Sequence, residues 1–158
     1  MIIREFEKED LSEMISVWNE IVNEGNAFPQ EEFLTLNTGS DFFNSQSYVG
    51  VAYDERILGL YILHPNNVGR CGHIANASYA VSSDARGKHI GEKLVLDSIE
   101  KAKELDFLIL QFNAVVEDNF SARHLYEKLG FKQLGVIPKG FRLDNNELVN
   151  ICPYYIEL

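Results

Sequence analysis

The sequence predicts one α/β domain, in the α+β sense, with a mixed sheet and helices on both of its faces. Its 158 residues are the usual length of a single domain, which we therefore assign to residues 1–158. Strand patterns come first, then two strand–helix alternations, then strands again. Hydrophobic residues make up 46% and charged residues 24% of the chain, as in ordinary globular proteins.

The first half of the chain predicts one helix between strands. Residues 2–6 have the pattern of a short strand. A helix ending at Gly25 follows, because apolar residues recur at helical spacing at Leu11, Met14, Ile15, Trp18, Ile21 and Val22. Residues 26–45 are expected to be irregular, with at most a short helix after Pro29. A hairpin turning at residues 54–56 and a strand over 71–82 come next.

The second half predicts two helices. The first runs from His89 to Leu105, and the second begins at Asn119 or Ser121 and ends before Gly130. Between them, residues 107–116 form a continuous apolar run of the kind buried on both faces of a sheet. Residues 131–138 and 147–158 complete the predicted strands.

The net charge of −10 argues against a nucleic-acid or anionic-membrane partner, because phosphate binding needs a basic face. A negative surface mildly favours cationic substrates such as amines. No apolar run is long enough to span a bilayer, and the N-terminus becomes charged at Arg4, so no signal peptide is expected. We expect a cytoplasmic location.

The two cysteines, Cys71 and Cys152, are expected to be reduced and to act as small apolar residues. Cys71 and His73 are too few ligands to indicate a metal site. No metal is expected.

The most informative stretch is "SSDARGKHIGEKL", residues 82–94, which connects an apolar strand to a helix. It gathers three basic residues, Arg86, Lys88 and Lys93, around Gly87 and Gly91. Unpaired N–H groups and the dipole at a helix N-terminus bind anions, and glycine allows close approach of a phosphate. The stretch therefore predicts a pyrophosphate site, although a charged loop that simply enters a helix explains it equally well. It matches neither the P-loop nor the G-x-G-x-x-G pattern.

Two segments together resemble the Gcn5-related N-acetyltransferase (GNAT) family. "VSSDARGKHIGEKL" is similar to its acyl-CoA loop, and "NFSARHLYEKLGF", residues 119–131, is similar to its asparagine-to-tyrosine helix. The resemblance implies a mainly antiparallel sheet whose central strands splay apart to leave a slot for a thioester. It also implies acetyl-CoA as co-substrate.

In the family, loop amides hold the CoA pyrophosphate and the pantetheine arm pairs with a strand edge. Carried onto this chain, the loop residues are Arg86, Gly87, Lys88, His89, Ile90 and Gly91, and the strand edge is Tyr79, Ala80 and Val81. The Arg86 side chain would shape the loop or neutralise charge. His89 departs from the family pattern, since it replaces a glycine, and an ordinary backbone conformation is expected there.

Two residues carry the chemistry that the resemblance implies, and a third is a candidate because of its place in an apolar strand. Tyr126 would protonate the leaving thiolate, or else be a core tyrosine. Asn119 would bind the pantetheine arm, or else cap the helix. Asn113, expected to be buried in its apolar strand, would pair its amide structurally or face the acetyl group and substrate.

The acceptor site is less defined. The segments "GHIANASYAV", "RGKHIG", "FNAVVEDN", "LYEKLGF" and "GVIPKGF" together resemble the branch that includes fungal proline-analogue acetyltransferases. This resemblance implies that Asn76 contacts a substrate carboxylate. The alternative is an asparagine in a β-bulge that pairs with the local backbone. Glu31 and Glu32 lie in the long loop as candidate substrate-binding residues and bases, or as solvated carboxylates. A water-mediated route without one base is equally open.

The resemblance implies an enzyme that transfers acetyl from acetyl-CoA directly to the amine of a small molecule, such as an amino acid or a related amine. A protein or peptide acceptor and a non-catalytic acyl-CoA-binding module are the alternatives. The apolar final strands suggest a homodimer or simply complete the core.

Overall fold

The computed structural model describes residues 1–158 as eight strands and four α helices. The strands are β1 (Ile2–Glu5), β2 (Tyr48–Asp54), β3 (Arg56–Pro65), β4 (Ile74–Val81), β5 (Ile109–Val116), β6 (Lys132–Gln133), β7 (Ile137–Arg142) and β8 (Leu148–Glu157). The helices are α1 (Leu11–Glu24), α2 (Leu36–Asn44), α3 (Ile90–Glu104) and α4 (Phe120–Lys128). None of these helices has the length and apolar character needed to cross a membrane.

All eight strands form one sheet in the order β1-β2-β3-β4-β5-β8-β6, with β7 also pairing with β8. Every pairing is antiparallel except that of β4 with β5. A parallel pair needs a crossover connection, and α3 supplies it between β4 and β5. The predicted mixed, mainly antiparallel sheet is confirmed.

The central strands β4 and β5 pair only at their beginnings. Ile74–Asn76 pair with Ile109–Gln111, and beyond these residues the two strands do not pair. On its other side β5 skips Asn113 and Ala114 in its pairing with β8, which is the mark of a bulge. The predicted splay is confirmed, and it opens a slot in the middle of the sheet.

Helices cover both faces of the sheet, as predicted. Since side chains alternate along a strand, neighbouring residues of β3 enter different cores. Leu60 packs in the cluster built on α1 and α2, whereas Tyr61 packs in the cluster built on α3 and α4. Both residues are fully buried. The sheet is therefore shared by two cores, and the slot opens between elements that each core holds in place.

Several details differ from the sequence predictions. The segment after Pro29 contains α2, which begins late, at Leu36, and is capped by the Thr35 side chain. Strand β5 is not buried on both faces, because its residues alternate and Asn113 at its centre is exposed. The predicted strand over 131–138 is reduced to β6, and β7 was not predicted.

Candidate active site

The slot between β4 and β5 continues into a cavity of about 960 Å³. Its walls are the free edge of β4, the loop before α3, the bulged part of β5, and α4. Phe28 and Pro29 from the segment after α1 also line the cavity, as do Leu143 and Val149 from the β7–β8 hairpin. A ligand bound at the α3 loop can therefore extend along the edge of β4 within the same cavity.

The loop before α3 offers a run of free hydrogen-bond donors. No backbone N–H from Arg86 to Glu92 donates a hydrogen bond within the protein, and the first one used is that of Lys93, which donates to the His89 carbonyl at 3.2 Å. Gly87 has a φ of 78° and no atom near its missing side chain. Unpaired N–H groups at the positive end of a helix bind phosphate groups, so the loop can seat a pyrophosphate.

His89 adopts the left-handed backbone conformation, with φ 59° and ψ 22°. The expected ordinary conformation is wrong. The loop must turn sharply to enter α3, and it keeps at this position the shape that a glycine would give it. The His89 side chain is 79% exposed and its Nδ1 lies 3.7 Å from a Glu92 carboxylate oxygen.

The side chains of the basic loop residues do not converge on the cavity. Arg86 lines it, but its guanidinium pairs with the Glu24 carboxylate of α1. This pairing fits the expected role of shaping the loop. Lys88 is exposed and is not among the lining residues. Its backbone N–H donates no hydrogen bond within the protein.

The edge of β4 that faces the slot carries unpaired peptide groups. Ser82 donates its N–H to the Leu58 carbonyl at 2.9 Å, toward β3. Because peptide groups alternate in direction along a strand, Tyr79 and Val81 direct theirs to the opposite, open side. Both residues line the cavity. Ala80 does not, since its side chain is buried in the α1 core and its peptide groups face β3.

Tyr126 reaches the cavity from α4 and packs on Phe112, with 4.5 Å between ring centroids. Its hydroxyl has no hydrogen-bond partner in the protein but is not sealed from solvent. Burial raises the pKa of Tyr126 above its usual value, so the hydroxyl is protonated at neutral pH. A protonated, unpaired hydroxyl is suited to donate to a leaving group.

Asn119 is the cap of α4, so the second predicted helix begins there. Its Oδ1 accepts the Ala122 N–H at 3.3 Å, while Ser121 makes only a 3.4 Å contact with the same oxygen. The Asn119 amide N–H₂ donates to no protein group, and the residue lines the cavity. One end of the side chain therefore caps the helix, and the other is free for a ligand.

Asn76 and Asn113 lie where the two strands diverge, and both line the cavity. Asn76 donates its side-chain N–H to the Gln111 carbonyl at 2.9 Å, across the last paired position. Asn113 donates to Asn66 Oδ1 at 2.6 Å and accepts from Gln111 at 3.1 Å. The Asn113 amide is thus paired, although it is exposed and not buried as expected.

Glu31 and Glu32 are exposed and do not line the cavity. The structure does not bring these two residues to the other candidate site residues. Sequence reasoning missed Glu24, which does line the cavity. Its signal was present, because it ends a helix and an acidic residue is unfavourable at that dipole end.

The comparisons with known proteins agree with this geometry. The acetyltransferase (GNAT) family model matches residues 10–131. N-acetyltransferase aca1 of Schizosaccharomyces pombe is 28% identical to this chain over an alignment 159 residues long. The alignment covers 89% of this chain and 76% of aca1. A GCN5-related N-acetyltransferase from Kribbella flavida has a TM-score of 0.91 at 31% identity, over 99% of this chain and 97% of its own.

The fold is also found with a ligand. A phosphinothricin acetyltransferase from Sinorhizobium meliloti, solved in complex with AcCoA, has a TM-score of 0.92 over 99% of this chain and 88% of its own. It is 20% identical to this chain, so this likeness concerns the fold. Sequence and structure therefore point to one family along nearly the whole chain.

Proposed function

We propose, from the premise that the chain belongs to the acetyltransferase (GNAT) family, that it transfers acetyl to the amine of a small molecule. The acceptor class is an amino acid or a related amine, and both substrates are bound together. One observation carries the proposal: a loop of free N–H groups, an unpaired strand edge and the free Tyr126 hydroxyl share one cavity.

The family match confirms the resemblance of the two motifs. The chain is accordingly an acetyl-CoA-dependent N-acetyltransferase, and acetyl-CoA is its co-substrate. The roles of individual residues and the class of the acceptor amine are parts of the proposal.

Acetyl-CoA would lie along the length of the cavity. Its pyrophosphate would accept from the N–H groups between Arg86 and Gly91, which have no partner within the protein. Its pantetheine arm would pair with the open peptide groups of Tyr79 and Val81, as an added strand does. The free amide N–H₂ of Asn119 would donate to a carbonyl of the arm. The thioester would then lie between the splayed strands near Tyr126.

The transfer needs no covalent enzyme intermediate. The neutral amine attacks the thioester carbon, and the carbonyl oxygen becomes an oxyanion that a backbone N–H of the open β4 edge can stabilise. The C–S bond then breaks, and Tyr126 donates its proton to the thiolate. The nitrogen loses its extra proton to water, and Tyr126 regains a proton from solvent. Much of the acceleration would come from holding the two reactants in place.

The apolar lining around Phe28 supports a small acceptor. Phe28 is buried and packs on Trp18 with 4.2 Å between ring centroids. Leu143 and Val149 add apolar side chains to the same cavity. Asn76 and Asn113 supply the nearby amides that would orient the acceptor. A peptide acceptor would instead need an open groove in this part of the cavity.

The test is release of CoA thiol from acetyl-CoA with amino acids, proline and its ring analogues, polyamines, aminoglycosides and short peptides. We expect release with one class of small amines. Tyr126→Phe should lower kcat about 100-fold or more, because the thiolate then leaves without its proton donor. The KM for acetyl-CoA should change little, since the ring still packs on Phe112. Tyr53→Phe, on β2 and away from the cavity, is the matched control.

Three outcomes separate the alternatives. Release with peptides alone would move the acceptor class to proteins. Tight acetyl-CoA binding with no release on any amine would indicate a non-catalytic acyl-CoA-binding module. A Tyr126→Phe variant with unchanged kcat would remove Tyr126 from the proton transfer.

The cytoplasmic location and the homodimer stay predictions. A second copy would pack on the exposed apolar side chains near the sheet edge, which are Leu134, Val136, Ile137 and Leu148. Sedimentation equilibrium would measure the mass in solution.

A further inference from the structure

The C-terminal half of α1 is bound to the segment that leads into the pyrophosphate seat. Glu20 accepts the Ser83 N–H at 2.9 Å. One turn later, the Glu24 carboxylate pairs with the Arg86 guanidinium. Residues four apart lie on the same side of a helix, so one face of α1 holds both ends of the stretch from Ser83 to Arg86.

The Glu24 carboxylate is not explained by the helix itself. A helix C-terminus carries the negative end of the dipole, where acidic side chains are unfavourable, and the last turn of α1 has no basic residue. The Arg86 guanidinium in the loop offsets that cost. The negative charge at the end of α1 is therefore explained by its pairing with the loop.

The Glu24–Arg86 pair also stands at a junction of the site. Arg86 is the first residue of the run of free N–H groups. Directly after Glu24 the chain turns at Gly25, with a φ of 68°, into residues 26–29, which also line the cavity. The end of α1 thus contacts the loop before α3 and continues into another part of the cavity lining.

We propose that Glu24 is a positioning residue for acetyl-CoA, acting through Arg86. By holding the guanidinium, Glu24 fixes the start of the loop so that its N–H groups stay directed at one point. It touches neither the thioester nor the acceptor. The inference rests on the proposed function in assigning the loop to the CoA pyrophosphate.

The test compares acetyl-CoA with S-acetylpantetheine, a thioester that lacks the pyrophosphate. Glu24→Gln should raise the KM for acetyl-CoA about fivefold, which matches the loss of one partly exposed ion pair of about 1 kcal/mol. Its kcat and its KM for the acceptor should stay the same. The kcat/KM with S-acetylpantetheine should not change, because that substrate makes no contact with the loop.

A double-mutant cycle isolates the pair. Arg86→Gln should give the same selective loss, and the double variant should be no worse than Arg86→Gln alone, since both changes remove one interaction. Glu100→Gln removes the comparable exposed Glu100–Lys103 pair on α3, outside the cavity, and should leave both thioesters unaffected. If Glu24→Gln does not fold, Arg86→Gln supplies the comparison, because Arg86 lies in a loop.

Some results would overturn the proposal. An equal loss with both thioesters, or a raised KM for the acceptor, would place Glu24 on the acceptor side. Tighter acetyl-CoA binding in Glu24→Gln would mean that Glu24 competes with the pyrophosphate for Arg86. Calorimetry of acetyl-CoA binding requires no acceptor. It therefore measures the effect of Glu24→Gln on acetyl-CoA affinity even if no amine is turned over.

Discussion

His89 holds a backbone conformation that side chains other than glycine adopt at a cost. Its φ of 59° lies in the left-handed region, where a Cβ crowds the backbone by about 1 kcal/mol. Contacts of the His89 side chain offset little of this conformational cost. The side chain is largely exposed, and the carboxylate of Glu92 is 3.7 Å away. The loop therefore stores strain at the entrance to α3.

We expect His89→Gly to raise the free energy of unfolding by about 0.5 kcal/mol, because strain is removed but the unfolded chain gains freedom. Urea unfolding measures it. The control is His124→Gly, an exposed position inside α4, which should lose about 0.4 kcal/mol. Equal losses at both positions would show that His89 is not strained.

At the level of residues, the sequence predicted best where a local motif specifies a backbone. Tyr126, Asn119 and the loop from Arg86 to Gly91 border the cavity, apart from Lys88. It predicted worst where a role depends on a distant segment. The pairing of Glu24 with Arg86 joins positions 62 apart in the chain, and no local pattern encodes it.

At the level of elements, the start of α1 depends on one carboxylate. Asp10 is 7% exposed. It accepts two hydrogen bonds from the Arg4 guanidinium, at 2.7 and 3.0 Å, and one from the Glu7 N–H at 2.7 Å. The Arg4 hydrogen bonds are the main reason that the pKa of Asp10 is lowered. This cluster joins β1 to the turn that precedes α1.

Asp10→Asn should destabilise the fold by about 1–3 kcal/mol at pH 7, since hydrogen bonds to a charged group are lost. A lowered pKa means that the carboxylate stabilises the folded state above the unfolded pKa of about 4 and loses this effect as the pH falls below it. The difference between wild type and variant, measured by urea unfolding, should therefore shrink toward pH 3.

The exposed Asp41 of α2 makes no side-chain hydrogen bond, so Asp41→Asn is the control and should change stability little. A difference for Asp10→Asn that does not depend on pH would show that shape, not charge, matters at this position.

The elements that the sequence predicted are those with a strong apolar period. α1 and α3 are examples, because each buries a continuous stripe. β7 has no such signal, since five of its six residues are exposed and it contains Pro138 and Gly140. It forms because β8 offers it an edge, which only the folded sheet provides. Likewise, Asn113 is exposed because the bulge turns β5 outward.

At the level of the whole molecule, two cores share one sheet. Trp18 is 1% exposed in the core of α1 and α2, whereas Leu94 is fully buried in the core of α3. Adjacent residues of the same strands enter the two cores, so neither core can be lost while the other keeps its strands. We therefore expect the two cores to unfold together.

We expect one unfolding transition, with Trp18 fluorescence and far-UV circular dichroism coincident. Leu94→Ala should cost about 2–5 kcal/mol, and it should shift the Trp18 signal by the same amount as the dichroism, although the two side chains lie on opposite faces. A Trp18 transition that did not move would show that the cores unfold independently.

In the proposed complex, the open edge of β4 recognises the pantetheine arm through its main chain. Substitutions at Tyr79 or Val81 change the width of the slot, but they leave its N–H and C=O groups where they are. Proline is the exception, since it has no N–H to offer. A site built in this way tolerates broad variation in its side chains while it keeps one ligand. Side chains at the acceptor end can then change without loss of that ligand.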